Sequence, residues 1–350
     1  MSLKARLGTS MLAVALILIV GCRRSENVAT IDPPSQETSS EAPETAPEIQ
    51  WQLDIGTDGK VESVAFSPDG GTVAGGSFLE ARLWAVSDGQ LLRTIEQGHT
   101  AENLAFSPDG TLLAAGLSTG GVQLNLVADG SQLPQLHTGF NNRLAFSPDG
   151  QTLATGNRNG MVWLWHLESG EQLAELAPPT DAWITALAYA PDGEIVAAGH
   201  YDGTINLWTA ADGVLLHTLE SGGTTNGLSF SPDGQLLAVA GTHDEWDPVI
   251  AIWTASDGNF GASGVDRQTL SLSQEGRAVA FSPDGRWLAA GSSDGIMLWE
   301  MPDATLRVTL DHIAASEDTD WVTDLAFSPD STLLAVGRWT GILELWQIGP

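Results

Sequence analysis

The 350-residue sequence has few cysteines and few basic residues. Its one cysteine, Cys22, excludes an intramolecular disulfide and any zinc or iron–sulfur site that needs several thiolates. Lys and Arg number 14 against 44 Asp and Glu, which gives a formal net charge of −30. Nucleic acids and anionic lipid headgroups attract clustered Lys and Arg, so this balance argues against both as partners. Solubility explains the acidity as well as a basic partner does.

Near the N-terminus lies a short apolar run, Met11–Val20, preceded by a basic segment. At about 1.5 Å per residue, such a helix is shorter than the roughly 30 Å hydrocarbon core of a bilayer. The run therefore predicts a secretory signal. It is followed by Gly21-Cys22, and the junction resembles the bacterial lipobox. The resemblance implies cleavage after Gly21 and lipid attachment to Cys22; the alternative is an uncleaved anchor with an incidental cysteine.

We accordingly predict a lipoprotein signal peptide at residues 1–21 and a lipidated cysteine with a disordered tether at residues 22–50. The tether is rich in Pro, Ser and Glu, a composition that buries too little apolar surface to offset chain entropy. Arg23 follows the cysteine, so the Asp that resembles an inner-membrane retention signal is absent there. The expected location is the bacterial cell envelope: the outer membrane if the cell has one, otherwise the outer face of the plasma membrane.

From residue 51 onward the sequence is repetitive. The motif Ala-Phe-Ser-Pro-Asp-Gly, or a close variant, ends at Gly70, Gly110, Gly150, Gly193, Gly234, Gly285 and Ser331, at intervals of 40 to 51 residues. With two further turns per repeat, this turn divides each repeat into four short strands. In the third repeat the predicted strands are Arg143–Phe146, Thr152–Thr155, Met161–Trp165 and Gln172–Leu176. No segment shows a sustained helical period, so the predicted fold class is all-β.

These repeats resemble WD40 repeats, and the resemblance covers residues 51–350. It implies a seven-bladed β-propeller with a packing tryptophan on the third strand of each blade. Six repeats carry it, at Trp84, Trp165, Trp208, Trp253, Trp299 and Trp346. The third repeat comes nearest to the family's buried His–Ser/Thr–Asp–Trp tetrad, with His137, Thr155, Asn159 and Trp165. The last repeat lacks a fourth strand, so we expect Trp51–Ile55 to supply it and close the ring.

Motifs for catalysis or metal binding are weak. Gly291–Gly295 fits the Gly-x-Ser-x-Gly nucleophile pattern, but it falls in a predicted hairpin turn instead of the strand-to-helix turn that such a nucleophile needs. Glu317–Asp320 is acidic without the ligand ladder of an EF-hand, which leaves a weak calcium site open beside a solvated loop. We predict no catalytic residue, no cofactor and no metal.

Aromatic residues and insertions concentrate on one rim of the predicted ring. Hairpin connectivity places there the starts of the first strands and the turns between second and third strands. The predicted partner-binding residues on this rim are Trp183, Tyr201, Trp246, Trp321, Arg338 and Trp339. These residue types are enriched at binding hot spots, and the rim resembles the usual partner-binding face of the family. For Trp183 and Trp321, the alternative is that each caps a first strand by packing on a neighbouring loop.

The sequence thus predicts a membrane-tethered, non-catalytic scaffold that binds an unknown protein partner through this rim. Two alternatives stay open. One is an accessory factor in envelope or outer-membrane assembly. The other is a propeller enzyme acting on saccharides or peptides, which requires histidines and carboxylates to converge at one mouth of the channel.

Overall fold

Antiparallel β-strands make up the regular structure of the described chain. The computed structural model describes residues 47–54, 60–140, 143–243, 247–255, 260, 267–272, 274–310 and 320–349. Within these residues 27 strands form seven sheets, so the predicted all-β, seven-bladed propeller is confirmed. In this part of the chain there is no helix with the length and apolarity needed to cross a membrane.

The first three blades follow one another along the chain. A single strand, β1 (Glu48–Asp54), precedes them. Blade 1 contains β2 (Ser63–Phe66), β3 (Thr72–Gly76), β4 (Glu80–Ala85) and β5 (Leu91–Glu96). Blade 2 contains β6 (Ala101–Phe106), β7 (Leu112–Leu117) and β8 (Val122–Leu126). Blade 3 contains β9 (Arg143–Phe146), β10 (Thr152–Gly156), β11 (Val162–His166) and β12 (Gln172–Leu176), within one residue of the predicted bounds.

The remaining four blades complete the ring. Blade 4 contains β13 (Ile184–Tyr189), β14 (Ile195–His200), β15 (Thr204–Thr209) and β16 (Leu215–Glu220). Blade 5 contains β17 (Thr225–Phe230), β18 (Leu236–His243), β19 (Asp247–Thr254) and β20 (Arg267–Ser271). Blade 6 contains β21 (Ala278–Phe281), β22 (Trp287–Ser292), β23 (Gly295–Glu300) and β24 (Thr305–Leu310). Blade 7 contains β25 (Val322–Phe327), β26 (Leu333–Arg338) and β27 (Ile342–Gln347), with β1 as its fourth strand.

The Ser-Pro-Asp-Gly motif, with Ala190 for Ser in blade 4 and Ser331 for Gly in blade 7, forms the hairpin turn between the first two strands of each blade. In blade 1 the Ser67 hydroxyl donates to the Asp69 carboxylate at 2.5 Å, and the Gly71 N–H donates to the same oxygen at 2.9 Å. Gly70 has φ +70°, a conformation that glycine adopts without steric cost. The motif is therefore a folding signal that sets where each hairpin reverses.

A closed ring results because each innermost strand packs on the next, and β25 of blade 7 packs on β2 of blade 1. Apolar side chains fill the space between neighbouring blades. One cluster joins Val64 and Trp84 of blade 1 to Leu343 and Leu345 of blade 7. Burial of such side chains, at about 1.5–3 kcal/mol each, holds the blades together.

The N-terminal strand closes the ring, as predicted. β1 pairs antiparallel with β27, from Glu48 opposite Gln347 to Asp54 opposite Ile342. The strand thus begins at Glu48 instead of Trp51, within the segment assigned to the tether, and Ile55 lies outside the described residues. The Trp51 indole N–H donates to the Val86 carbonyl of blade 1 at 3.0 Å, which ties the closing strand to the next blade.

Blade 2 differs from the predicted four strands. Its fourth segment makes two isolated bridges to β8, at Leu136 and at Gln132, instead of a continuous ladder. Pro134 lies between them and has no N–H to donate, so a regular strand cannot form there. The Gln123 side chain fills the gap by donating to the Leu133 carbonyl at 2.6 Å.

The ring has two distinct ends. The lower rim carries the Pro-Asp-Gly turns, at Asp69, Asp109, Asp149, Asp192, Asp233, Asp284 and Asp330. The upper rim carries the starts of the innermost strands and the turns between second and third strands, such as Ser77–Leu79 and Tyr201–Gly203. Because β1 runs from Glu48 at the lower rim to Asp54 at the upper rim, the chain joins the propeller at the lower rim.

Candidate binding face on the upper rim

Two pairs of aromatic side chains lie on the upper rim, one in blade 4 and one in blade 7. The ring centroids of Trp183 and Tyr201 are 5.7 Å apart, and those of Trp321 and Trp339 are 5.8 Å apart. Trp183, Tyr201 and Trp339 are 48%, 54% and 43% exposed, while Trp321 is half-buried. The structure therefore brings together four of the aromatic residues predicted to bind a partner, as two matched pairs.

Strand pairing explains why the pairs form. In blade 4 the strands that follow Trp183 and precede Tyr201 are paired, with Ile184 opposite His200. The Tyr201 N–H then donates to the Trp183 carbonyl at 2.9 Å. In blade 7 the Trp339 N–H donates to the Trp321 carbonyl at the same distance. Both aromatic pairs are thus fixed by the first hairpin of their blade.

Cations from other blades lie over three of these rings. The Arg158 guanidinium is 5.0 Å from the Trp183 ring centroid, and that of Arg277 is 4.0 Å from the Trp321 ring. The Lys60 ammonium is 4.1 Å from the Trp339 ring. Such contacts contribute about 0.5–1 kcal/mol at exposed sites, and they place positive charge beside each aromatic pair.

The upper rim surrounds a cavity of about 410 Å³ at the centre of the ring. The innermost strands of blades 2 to 7 contribute to its wall, and blade 1 contributes Lys60 and Glu62, which lie just before β2. Each innermost strand has one residue three positions before the aromatic residue of its turn motif. In blades 7, 1, 2 and 3 this residue is Asp324, Ser63, Asn103 and Arg143. In blades 4, 5 and 6 it is Ala186, Gly227 and Ala278. At this position of the innermost strands, one side of the ring is therefore polar, and the other side carries small residues.

The polar side is a relay of hydrogen bonds from blade to blade. The Ser63 hydroxyl donates to the Asp324 carboxylate at 2.7 Å, and its oxygen accepts the Leu104 N–H at 3.0 Å. The Asn103 side-chain oxygen accepts the Leu144 N–H at 3.0 Å. Arg143 donates to the Thr185 carbonyl at 2.8 Å. Blades 7, 1, 2, 3 and 4 are connected in this way at the channel wall.

Burial shifts the ionisation of several groups around the cavity. It raises the pKa of Asp324, although the Ser63 hydroxyl and two backbone N–H groups oppose that shift. It also raises the pKa of Glu62, whose carboxylate is 2.9 Å from the Lys60 ammonium. Burial lowers the pKa of Arg277. No group of three or more His, Cys, Asp or Glu side chains in the described chain is arranged to hold a metal ion.

The structure excludes Arg338 from the predicted partner-binding residues. Arg338 is fully buried, with a guanidinium nitrogen 2.9 Å from the Glu344 carboxylate and another 4.0 Å from that of Asp320. Arg338 is the last residue of β26 and is buried, whereas Trp339 follows the strand and is exposed on the rim. Arg338 therefore cannot contact a partner.

The other residues singled out from the sequence are the packing tryptophans, the tetrad of the third repeat and several residues that the structure does not describe. Trp84, Trp208, Trp253, Trp299 and Trp346 are buried, and Trp165 is half-buried with its indole N–H 2.9 Å from the Thr155 hydroxyl. The tetrad expected in the third repeat is incomplete because His137 and Asn159 are exposed. Cys22, Trp246 and Glu317 lie outside the described residues, as do the acidic neighbours of Glu317 up to residue 319.

Sequence reasoning missed three exposed apolar residues on the upper rim: Phe78, Leu79 and Phe140. Phe78 and Leu79 form the turn between β3 and β4, where blades 2, 3 and 6 use polar residues and glycine. Leu79 has φ +68°, a conformation that favours glycine. An apolar pair in a tight exposed turn is the sequence signal that identifies this site. Phe140 has no comparable local signal.

The fold and this rim define a β-propeller of the protein-interaction class. The family described as "WD domain, G-beta repeat" matches residues 89–124, 137–166, 170–209, 213–254, 265–300 and 306–347. The chain therefore belongs to the WD40-repeat family, whose propellers serve as protein-interaction scaffolds.

Similar proteins include small ribosomal subunit protein RACK1 of Candida albicans, 30% identical over 128 residues, which cover 35% of this chain and 36% of that protein. RACK1 of Brassica napus is 26% identical over 141 residues, covering 36% of this chain and 40% of the relative. Protein HIR1 of Yarrowia lipolytica is 31% identical over 157 residues, covering 34% of this chain and 14% of the relative. The alignments thus span less than half the length of these relatives.

Proposed function

We propose that this protein is a non-catalytic scaffold of the bacterial envelope, tethered by a lipid on Cys22, that binds a partner protein through its upper rim. The aromatic pairs of blades 4 and 7, in which Trp183, Tyr201 and Trp339 are exposed, carry the proposal. A rigid ring holds them in position before binding, which reduces the conformational entropy lost in the complex. Their residue types are those that dominate binding energy at protein interfaces.

The path of the chain supports this arrangement. The segment before Glu48 joins the propeller at the lower rim, while the aromatic pairs lie on the upper rim. The point where that segment joins the propeller is therefore on the rim opposite the proposed binding face. A lipid attached through that segment raises the effective concentration of the scaffold for other proteins of the same membrane.

The binding role is tested by crosslinking in native membranes followed by purification of the complex. Trp183→Ala and Trp339→Ala each remove an exposed indole, so each should weaken capture of the crosslinked partner by about tenfold or more. The matched control is Leu173→Ala, which removes an exposed apolar side chain from β12 on the outside of blade 3. Undiminished capture by both folded tryptophan variants would refute the role of the upper rim.

The lipid tether needs a separate experiment. Metabolic labelling with a radioactive fatty acid should mark the wild-type protein and leave Cys22→Ser unlabelled. The same variant should move from the membrane fraction to the soluble fraction. Labelling of Cys22→Ser to the wild-type level would exclude the anchor without affecting the binding proposal.

A further inference from the structure

Positive charge collects at one place on this acidic protein. Ten Lys and Arg residues follow residue 47, and four of them line the central cavity: Lys60, Arg143, Arg158 and Arg277. They come from blades 1, 3 and 6, so the ring brings them together from distant parts of the sequence. The chain as a whole carries a formal charge of −30, and this mouth is therefore distinct from the average surface.

The acids at the same mouth do not neutralise these cations evenly. Three acids, Glu62, Glu102 and Asp324, line the cavity with the four cations. The Glu62 carboxylate pairs with Lys60, and the buried Asp324 accepts from the Ser63 hydroxyl and the Val64 N–H. Among the described residues, Arg143, Arg158 and Arg277 form no ion pair with a carboxylate within 4.0 Å. Arg143 is instead satisfied by backbone carbonyls, and the other two lie over indole rings.

Cations without a carboxylate partner in the described chain can bind an anion from another molecule. Arg277 is partly buried, which removes water from a charge that has no ion-pair partner in the described chain. An incoming carboxylate would restore the lost electrostatic stabilisation, and guanidinium groups bind carboxylates through paired hydrogen bonds. Ion pairs formed in such partly desolvated sites are stronger than those on an open surface.

The opposite rim carries the seven turn aspartates. Its turn aspartates are held as carboxylates, since hydrogen bonds from the turn serine and backbone lower the pKa of Asp69, Asp109, Asp149, Asp233 and Asp330. An acidic ligand is therefore repelled from the lower rim and attracted to the upper mouth, where converging charges focus the field.

The surroundings of the cations define the rest of the ligand. A cavity of about 410 Å³ admits a few side chains but not a folded domain. Trp339 lines the cavity, and further exposed apolar surface lies on the same rim, from Phe78, Phe140, Trp183 and Tyr201. This combination fits an extended segment that alternates acidic and apolar side chains.

We propose that the upper mouth binds an acidic peptide segment of the partner, with carboxylates on Arg158 and Arg277 and apolar side chains on the neighbouring indoles. This inference rests on the proposed scaffold function and specifies the chemistry of its ligand. The same contacts explain how a protein of strongly negative charge selects a negatively charged partner.

The test uses the full propeller and a dye-labelled octaglutamate peptide, followed by fluorescence anisotropy at low salt. We expect saturable binding that weakens as salt is added, because the contacts are between charges. Octaglutamine and octalysine should bind at least about tenfold more weakly. Arg158→Gln and Arg277→Gln should each weaken octaglutamate binding by about tenfold. The matched control is Arg307→Gln, which removes a cation that pairs with Glu300 in the outer part of blade 6.

Several outcomes would overturn the inference. These are the absence of octaglutamate binding, stronger binding of octalysine, or an equal loss in Arg307→Gln. Displacement of octaglutamate by an equal concentration of inorganic phosphate would mean a general anion site and also count against it. The scaffold function fails separately: if Trp183→Ala loses the native partner while Arg158→Gln and Arg277→Gln retain it, the rim binds a partner that is not acidic.

Discussion

Replacing Glu344 by glutamine removes the nearest counter-charge of a fully buried arginine. The Arg338 guanidinium and the Glu344 carboxylate are 2.9 Å apart, and both side chains are shielded from solvent. The same carboxylate accepts the indole N–H of Trp346 at 3.0 Å and the side-chain amide of Gln52 at 3.1 Å. Gln52 belongs to β1, so this ion pair also helps to hold the strand that closes the ring.

The expected cost follows from this geometry. Breaking a buried ion pair by removing one charge destabilises a protein by about 3–5 kcal/mol. Asp320, at 4.0 Å from Arg338, retains part of the compensation, so Glu344→Gln should lie near 3 kcal/mol, the lower end of that range. Glutamine keeps an oxygen that can accept from Trp346 and Gln52. The cost is therefore that of an unpaired buried cation.

The double variant Arg338→Met/Glu344→Gln removes both charges and keeps that acceptor. It should be more stable than Glu344→Gln alone by about 1 kcal/mol or more, because no unpaired cation is left. Urea unfolding followed by tryptophan fluorescence and by far-ultraviolet circular dichroism measures both changes. A double variant less stable than Glu344→Gln would refute the reasoning, since the ion pair would then contribute less than the packing of Arg338.

Three further predictions concern ring closure, backbone strain and acid stability. Deleting residues 48–54 exposes the edge of β27, so it should lower the thermal midpoint and produce aggregates visible by light scattering. Leu79→Gly removes an unfavourable φ, so its unfolding free energy should be unchanged or higher by about 1 kcal/mol, while partner capture weakens. The pKa of Asp109 is below its usual 3.8 because the Ser107 hydroxyl and the Thr111 N–H donate to its carboxylate. The ionised carboxylate therefore stabilises the fold fully above pH 3.8. That contribution is lost as the pH falls through the pKa of Asp109 in the folded protein. Asp109→Asn should therefore lose less stability than wild type over that acidic range in urea titrations.

Each of these three predictions has its own contradicting result. An unchanged melt after deletion of residues 48–54 would mean that β1 does not stabilise the ring. A clear loss of stability in Leu79→Gly would show that Leu79 serves packing instead of binding. Equal acid sensitivity of Asp109→Asn and wild type would show that the turn carboxylate contributes nothing to stability.

Local signals accounted for most of the fold. The turn motif and the strand period predicted the strands of blade 3 to within one residue, and the missing last strand predicted ring closure. The start of β1 was misplaced because Glu48 and its neighbours share the composition of the preceding segment. The fourth strand of blade 2 was overpredicted, since one proline interrupts a segment that otherwise follows the repeat.

The candidate site was less predictable because it depends on contacts across the ring. Hairpin connectivity predicted that Trp183, Tyr201, Trp321 and Trp339 share one rim, whereas their contact in two pairs was seen only in the structure. Arg338 was assigned to the exposed turn, whereas it is the last residue of β26 and is buried. Predicting its burial would have required the exact end of the strand and the alternation of side chains along it. The grouping of Lys60 with Arg277 joins residues more than 200 positions apart, and no local pattern reports that proximity.

The antiparallel pairing of β1 with β27 also determines how the ring transmits force. With the proposed tether entering β1 at the lower rim and a proposed ligand on the upper rim, tension between them would run along the strands. All the hydrogen bonds from Glu48 to Asp54 are then loaded together in shear, whereas peeling would break them one after another. Tension between the proposed tether and a bound partner would therefore be resisted by the whole β1–β27 ladder.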